Sequence, residues 1–494
     1  MSSDTLTRIE SAETQPEHLV FRVASRELGG DVRAVVTPVP SKTHELVRRE
    51  VPAATAQGTA DTDDAHSSLT PHPYLVVVET AGSTAALLLT ADADWHRWTW
   101  MAVEADADAV TLRVDFEGET PTEEAAGHVR VALLVAEPRT PVFEMVRRVV
   151  HAAAPEAQAE RARPDWWARP IYCGWGDQVA TSLHMEGPGY ERRCLPYCTQ
   201  GLYERWVARL EEAELPFGIT TIDAGWSRSG AWEPIDWLWP DLRGFIDREH
   251  EKGRKVLLWL GTWMTDGLPA EWCVRHPADG RPLMADANHP EYLAQVREWV
   301  ERMLSPAPGG LDADGFKIDQ LRYVPSRRWP TAPLRFGFVD YLDPVDAPLR
   351  MTPGAYGVEL MRNLQKAIYD TAHAVKADAL VTSSTLHPVF HDTFDMMRIH
   401  DTGRENRDVF SAMKQRADLS RAIFPAHAVD ADDWVHGSYE QWLSYTSRAP
   451  AVGTPTIFYS ERTVQDFKGE PTTMEIPLAD LRAIGQAWRE AGIG

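Results

Sequence analysis

Three aspartates, Asp223, Asp319 and Asp401, each close a short apolar run, and two of them have basic neighbours in sequence. In Gly315-Phe-Lys-Ile-Asp-Gln320 the apolar Phe316 and Ile318 alternate with Lys317 and Asp319, the period-two pattern of a strand. An ammonium and a carboxylate therefore project from one face at the strand's end. A cation beside a carboxylate favours its charged form, which a carboxylate nucleophile requires; the plainer reading is a surface ion pair. Met397-Arg-Ile-His-Asp401 sets a second acid beside Arg398 and His400. Two carboxyl groups flanking an anomeric carbon, one ionised and one giving a proton, are what glycoside hydrolysis needs. On that chemistry Asp319 is the ionised partner and Asp401 the proton donor. Asp223, in Ile222-Asp-Ala-Gly-Trp226, offers two acceptor oxygens to sugar hydroxyls, or else serves as a turn carboxylate before Gly225.

Positioning such groups takes a scaffold whose strand ends converge. From Pro170 onward, strand-like runs alternate with helical periodicity. The strands are Ile171–Trp175, Gly218–Asp223, Lys255–Leu260, Gly315–Asp319, Ala379–Ser384, Met396–His400, Ala422–Ala426 and Thr454–Tyr459. Helices are predicted near 200–214, 241–253, 290–304, 355–376, 404–418, 438–447 and 478–491. Eight strands with intervening helices predict a (β/α)8 TIM barrel, whose chemistry sits at the C-terminal strand ends. The fifth and sixth strands lie close together for a crossover, which takes about a dozen residues or more. Residues 1–140 read instead as short β-branched runs separated by turns, an N-terminal β-sandwich. The predicted division is a β-sandwich over 1–140, a helical linker over 141–164 and a catalytic barrel over 165–494, a multidomain α/β chain.

Ten of the nineteen tryptophans fall from Trp166 to Trp263. Aromatic faces stack on sugar C–H faces and also fill cores; part of this density reads as a carbohydrate platform. Trp175, Trp226, Trp259 and Trp263 lie nearest the predicted strand ends and, with Lys317, Asp223, Arg398 and His400, form the expected substrate-binding set. A net charge of −23 argues against nucleic acid or an anionic membrane as partner. No apolar run is long enough to span a bilayer, and the N-terminal residues lack the pattern of a secretory signal. Four cysteines in 494 residues suit a reducing cytoplasm, the expected location. Cys194 and Cys198 have no second ligand pair at metal spacing, and Pro388 sets His387 and His391 in a loop, so no metal or other cofactor is expected. His391, Asp392 and Asp395, on the approach to the sixth strand, are the reserve candidates for the proton donor.

The motifs in their order resemble the clan of retaining α-glycosidases that contains glycoside hydrolase families 36, 31 and 27. Gly-Phe-Lys-Ile-Asp at 315–319 looks like their Lys-x-Asp nucleophile motif, and Thr221-Ile-Asp-Ala-Gly-Trp226 is similar to the Asp-Asp/Asn-Gly-Trp motif after the second strand. Tyr172-Cys-Gly-Trp175 resembles the Trp-bearing first strand, while Asp401 falls where the acid/base aspartate sits. The chain departs from family 36 after the fifth strand, where Ser383-Ser-Thr-Leu-His-Pro388 replaces a Cys-Ser-x-Gly-Gly-type segment. The resemblance implies an exo-acting enzyme that hydrolyses or transfers a terminal α-linked sugar of an oligosaccharide or glycoside. Asp319 would be its nucleophile and Asp401 its acid/base. Two other readings stay open: a metal-dependent barrel enzyme using Asp223, Asp319 and Asp401 as ligands, and a non-catalytic sugar-binding protein on the same fold.

Overall fold

The computed structural model describes residues 6–9, 13–39, 42–51, 74–116, 118–189, 193–319, 334–336, 339–342, 348–399, 408–465 and 470–493. The predicted loop 52–73 and most of the Arg-bearing segment 321–353 lie outside these residues, as do His400 and Asp401.

Two antiparallel sheets form the N-terminal sandwich. One runs in the order Leu6–Ile9, Val129–Ala136, Thr84–Ala91, Leu75–Thr80, Val32–Val39, Lys42–Glu50. The other runs Glu13–Thr14, His18–Ala24, Ala109–Asp115, Trp100–Ala105. Residues such as Phe21, Leu112, Val76 and Leu87 are fully buried in one continuous core. All six strands expected from sequence are present. The four that sequence reasoning missed, Leu6–Ile9, Glu13–Thr14, Lys42–Glu50 and Trp100–Ala105, are the four sheet edges. Edge strands tolerate charge, as Lys42-Thr-His-Glu-Leu-Val-Arg-Arg-Glu50 does, and so lose the alternation that identifies a strand. A helix over Val142–Ala153 buries Met145, Val146, Val149 and Val150, and leads on toward the barrel.

The barrel strands are β1 Ile171–Cys173, β2 Ile219–Ile222, β3 Lys255–Gly261, β4 Gly315–Asp319, β5 Leu380–Ser383, β6 Met396–Arg398, β7 Ala428–Asp430 and β8 Thr456–Ile457. All neighbours pair in parallel, β8 returns to β1, and a parallel bridge between Asp430 and Thr454 joins β7 to the approach of β8. The helices around them are α1 Trp175–Glu186, α2 Gln200–Glu212, α3 Leu242–Glu251, α4 Pro290–Leu304, α5 Gly357–Val375, α6 Val409–Ile423, α7 Tyr439–Arg448 and α8 Leu478–Glu490. Gly315 opens β4 with φ of 153°, and a β-carbon there would meet the Leu380 carbonyl oxygen of β5 at 2.0 Å, so only glycine permits this approach.

Three sequence expectations need correction. The seventh strand is Ala428–Asp430 and not 422–426, because α6 runs on to Ile423. That helix begins at Val409, capped by Asp408 accepting from the Ser411 N–H, and not near 404. The first strand ends at Cys173, since Trp175 already opens α1. No α-helix separates β5 from β6. The connection carries a short 3-10 turn, Pro388–Phe390, and the sandwich covers it: the His387 ring packs 4.2 Å from that of Tyr74 and 6.0 Å from that of Trp98. Backbone bonds from Val358 N to Trp98 O and from Glu359 N to His96 O tie α5 to the same sandwich edge.

Candidate active site

The C-terminal strand ends carry a buried polar cluster. On β4, Lys317 donates to Asp223 Oδ2 at 2.7 Å, and the Cys173 thiol donates to the same oxygen at 3.1 Å. Asp223 Oδ1 accepts from the Ala224 N–H. Burial acts to lower the Lys317 pKa, but the Asp223 charge overrides it and holds the ammonium above its ordinary value. Burial and the Asp223 charge push the Cys173 thiol well up, so it stays protonated and is no nucleophile. Asp223 is positioned from behind: its backbone N–H donates to the Tyr203 hydroxyl of α2, which donates to Gln178 on α1.

Asp319 sits at the mouth, its side chain 17% exposed. Oδ2 accepts from Trp259 Nε1 at 3.1 Å, and Arg398 Nη1 stands 3.6 Å from Oδ1. Thr262 donates through both its N–H and its hydroxyl to the Asp319 carbonyl, which fixes the strand end. Arg398 is itself held by Asp432, Nε to Oδ2 at 2.7 Å, and by the Ile318 carbonyl. Burial works against the guanidinium, yet Asp432 and Asp319 keep its pKa raised. An indole N–H and a guanidinium both bind a charged carboxylate more strongly than a neutral one. The arrangement offers a partly open Asp319 carboxylate, faced by an indole N–H and a guanidinium, above a closed layer of paired charges.

Asp319, Lys317, Asp223, Trp259 and Arg398 lie together at these strand ends, with a pairing other than the one read from the sequence. The Lys317 ammonium is engaged by Asp223, one layer deeper, and among the described residues Arg398 is a cation that faces Asp319. His400 and Asp401 lie outside the described residues. The carbohydrate platform is largely corrected: Trp226, Trp232, Trp239, Trp259 and Trp263 are all 2% exposed or less, and Trp166 and Trp167 bury against a separate apolar cluster that includes Ile171 and Ile219. Their area fills the core, and Trp226 braces β3 by donating to the Trp259 carbonyl. Trp175 is half-buried, edge-on to Trp434.

The reserve acids point elsewhere. Asp395 is enclosed by Tyr369, His373 and the Val381 N–H, and Asp392 pairs with Arg362 on α5. His391 Nδ1 lies 3.2 Å from the Pro388 carbonyl, within that same outer connection. Sequence reasoning missed Asp432, although it falls two residues beyond Asp430; with β7 placed too early, that period-two signal went unread. Among the described residues, the carboxylate and imidazole groups close enough to share an ion are Asp247, His250 and Asp312, at the strand-entry end of the barrel and away from this cluster.

No known family profile matches the sequence, and no curated protein matches it. Solved structures do. A cycloalternan-degrading enzyme from Trueperella pyogenes superposes with a TM-score of 0.59 at 15% identity, over 96% of this chain and 67% of that one. An α-galactosidase from Thermus thermophilus, in complex with p-nitrophenyl α-D-galactopyranoside, gives 0.55 at 17% identity over 92% of this chain and 88% of its own. A GH31 α-xylosidase from a soil metagenome, complexed with xylose, gives 0.57 at 14% identity over 98% and 67%. The likeness establishes the fold, a β-sandwich followed by a (β/α)8 barrel. That is the architecture these proteins share with the present chain. No helix among the described residues is long and apolar enough to cross a membrane.

Proposed function

We propose that this chain is a retaining, exo-acting α-glycosidase that hydrolyses or transfers a terminal α-linked sugar without a metal. The observation that carries the reading is Asp319. It is a partly exposed carboxylate at the end of β4, with Trp259 donating to one oxygen and Arg398 facing the other. In a double displacement Asp319 attacks the anomeric carbon as the glycosidic bond breaks, giving a covalent glycosyl-enzyme. Asp401 protonates the departing oxygen and then takes a proton from the incoming water or sugar hydroxyl. Its assignment rests on its place in the chain, three residues beyond Arg398. Asp223 and Lys317, paired at 2.7 Å and buried beneath Asp319, form the floor of the sugar site.

A divalent ion would need the same carboxylates that Lys317 and Arg398 already occupy, which disfavours the metal-enzyme reading. The sandwich-and-barrel fold shared with α-glycosidases supports the substrate class. A panel of aryl α-glycosides followed by product NMR tests the proposal. Asp319→Ala is expected to abolish turnover with the fold intact, and azide to restore part of it as a glycosyl azide. Near-normal activity in that variant overturns the assignment.

A further inference from the structure

We propose that Asp430, at the end of β7, is a positioning residue of the Asp319 site that works as a neutral, protonated carboxylic acid. Its kinetic consequence rests on the glycosidase reading; the proton itself does not. Among the described residues, Asp223, Asp319, Asp430 and Asp432 meet the cations Lys317 and Arg398 in this part of the barrel. Lys317 is taken by Asp223 at 2.7 Å. Arg398 is the neighbour of Asp430 across the β6–β7 register, yet its guanidinium passes by. Nε donates to Asp432 at 2.7 Å, while Nη1 donates to the Ile318 carbonyl at 3.1 Å and stands 3.6 Å from Asp319. Asp430 is left with the Thr456 hydroxyl, which donates to Oδ1 at 2.5 Å, and no cation among the described residues is paired with it.

Solvent does not take the cation's place. Asp430 is 4% exposed and Asp432 1%. They border one cavity of about 10 Å³ with Lys317, Cys173 and Thr456, room for about one water. A buried carboxylate without a cation or bulk water is costly, and a second acid beside it raises that cost. Burial, and then the Asp432 charge, push Asp430 up to about 7, against Thr456, Arg398 and Lys317, which favour ionisation. Tyr445 of α7 and Cys173 of β1 add no charge from the other sides, since burial above all holds both well above their ordinary values. Protonated, Asp430 leaves the guanidinium to Asp432 and Asp319. Ionised, it sets a further carboxylate beside the same cation and draws Arg398 off Asp319.

Asp430→Asn, neutral and of the same shape, tests the proton first. Unfolded, an aspartate loses its proton near pH 4, whereas folded Asp430 keeps it to about 7. The raised folded value makes wild-type stability fall as pH rises between the two, by up to about tenfold in the folding constant per unit, and the Asn variant lacks this dependence. Urea unfolding of both full-length proteins is expected to show Asp430→Asn gaining on the wild type at least about tenfold from pH 5 to pH 7. A smaller gain, or one of opposite sign, overturns the proposal. If Asp430→Asn does not fold, the infrared spectrum reads the same proton: a protonated-carboxyl band, assigned by its shift in Thr456→Val, is expected at pH 5 and lost by pH 9. Absence of that band overturns the proposal as well. The kinetic arm uses an activated aryl α-glycoside, whose departure needs little help from Asp401. Asp430→Asn is expected to move the alkaline limb of kcat/KM up by a pH unit or more, and an unmoved limb overturns the positioning role. Unfolding and infrared spectra require no turnover, so failure of the glycosidase reading is seen separately, as the absence of activity in the wild type.

Discussion

Replacing Lys317 by Met removes a buried charge and strands another. The ammonium lies 2.7 Å from Asp223 Oδ2, and the two residues are 7% and 2% exposed. Without it, Asp223 keeps one thiol donor and one backbone N–H. Breaking a buried pair from one side costs about 3–5 kcal/mol, because the orphaned charge stays desolvated. An independent bound agrees: neutralising an ordinary aspartate at pH 7 costs about 4 kcal/mol, from a reference pKa near 3.9 at about 1.4 kcal/mol per unit. The loss is therefore expected to be about 3–4 kcal/mol at pH 7. It should shrink by about 1.4 kcal/mol for each pH unit on the way to pH 5, as protonation of Asp223 becomes cheaper. Lys317→Met/Asp223→Leu should recover most of the loss, since an apolar replacement of both partners is often neutral or better. Urea unfolding followed by tryptophan fluorescence, for wild type, both single variants and the double at pH 7 and 5, gives all the terms. A Lys317→Met loss below about 1 kcal/mol at pH 7, the size of a surface pair, refutes the reasoning. So would a loss that does not depend on pH.

The proton-donor role predicts that Asp401→Ala loses most activity on poor leaving groups but retains much of the first step on an activated aryl glycoside; equal losses on both would remove Asp401 from that role. Asp432→Asn should slacken Arg398 and lower kcat/KM roughly ten- to hundredfold, the worth of about 1.5–3 kcal/mol for a charged hydrogen bond. Recovery in Asp432→Glu and a displaced acid limb of the pH–rate profile would separate this positioning role from a structural one. Dialysis against EDTA should leave turnover unchanged, and a loss restored by one divalent ion would reinstate a metal. Burial lowers His427 to about 3 and His436 to about 4, below the unfolded value near 6.5. The unfolded chain then binds more protons between pH 6.5 and 4, so stability should fall as pH is lowered through that window, by up to about 1.4 kcal/mol per unit for each group. Urea midpoints that stay flat from pH 7 to 5 would contradict it.

The barrel was legible because its central strands are apolar on both faces and its helices amphipathic, signals that depend on local spacing alone. Boundaries failed where a local signal was ambiguous. Ala422-Ile-Phe-Pro-Ala426 is apolar enough for a strand, yet Ala422 and Ile423 belong to the last turn of α6 and bury there. The tryptophans misled for a related reason, since a large ring at a strand end serves a core as well as a ligand and composition cannot separate the two. The short β5–β6 connection looked like a flaw in the barrel. The part that completes it, the sandwich edge bearing Tyr74 and Trp98, lies some three hundred residues earlier in the chain, and no periodicity reports a contact of that range.

Pairing within the site shows the same limit at atomic scale. Period two correctly put Lys317 and Asp319 on one face of β4, but on a tilted barrel strand successive inward residues occupy successive layers. Lys317 lies level with Trp259 of β3, while Asp319 lies level with Gly261, where no side chain intervenes. The Trp259 indole extends to Asp319 and occupies that gap, and the ammonium one layer down meets Asp223 from β2. A cation for Asp319 must therefore come from across the barrel, and Arg398 at the end of β6 supplies it, held in place by Asp432 from beyond β7. Three strands and a loop contribute to what looked like a two-residue motif. Removing Arg398's anchor should act first on Asp319, but the Asp432 charge also bears on the buried Lys317, with which it lines one small cavity. Asp432→Asn and Lys317→Met are then expected to be non-additive in stability, and losses that simply add in a double-mutant cycle would show the layers to be two independent networks instead of one.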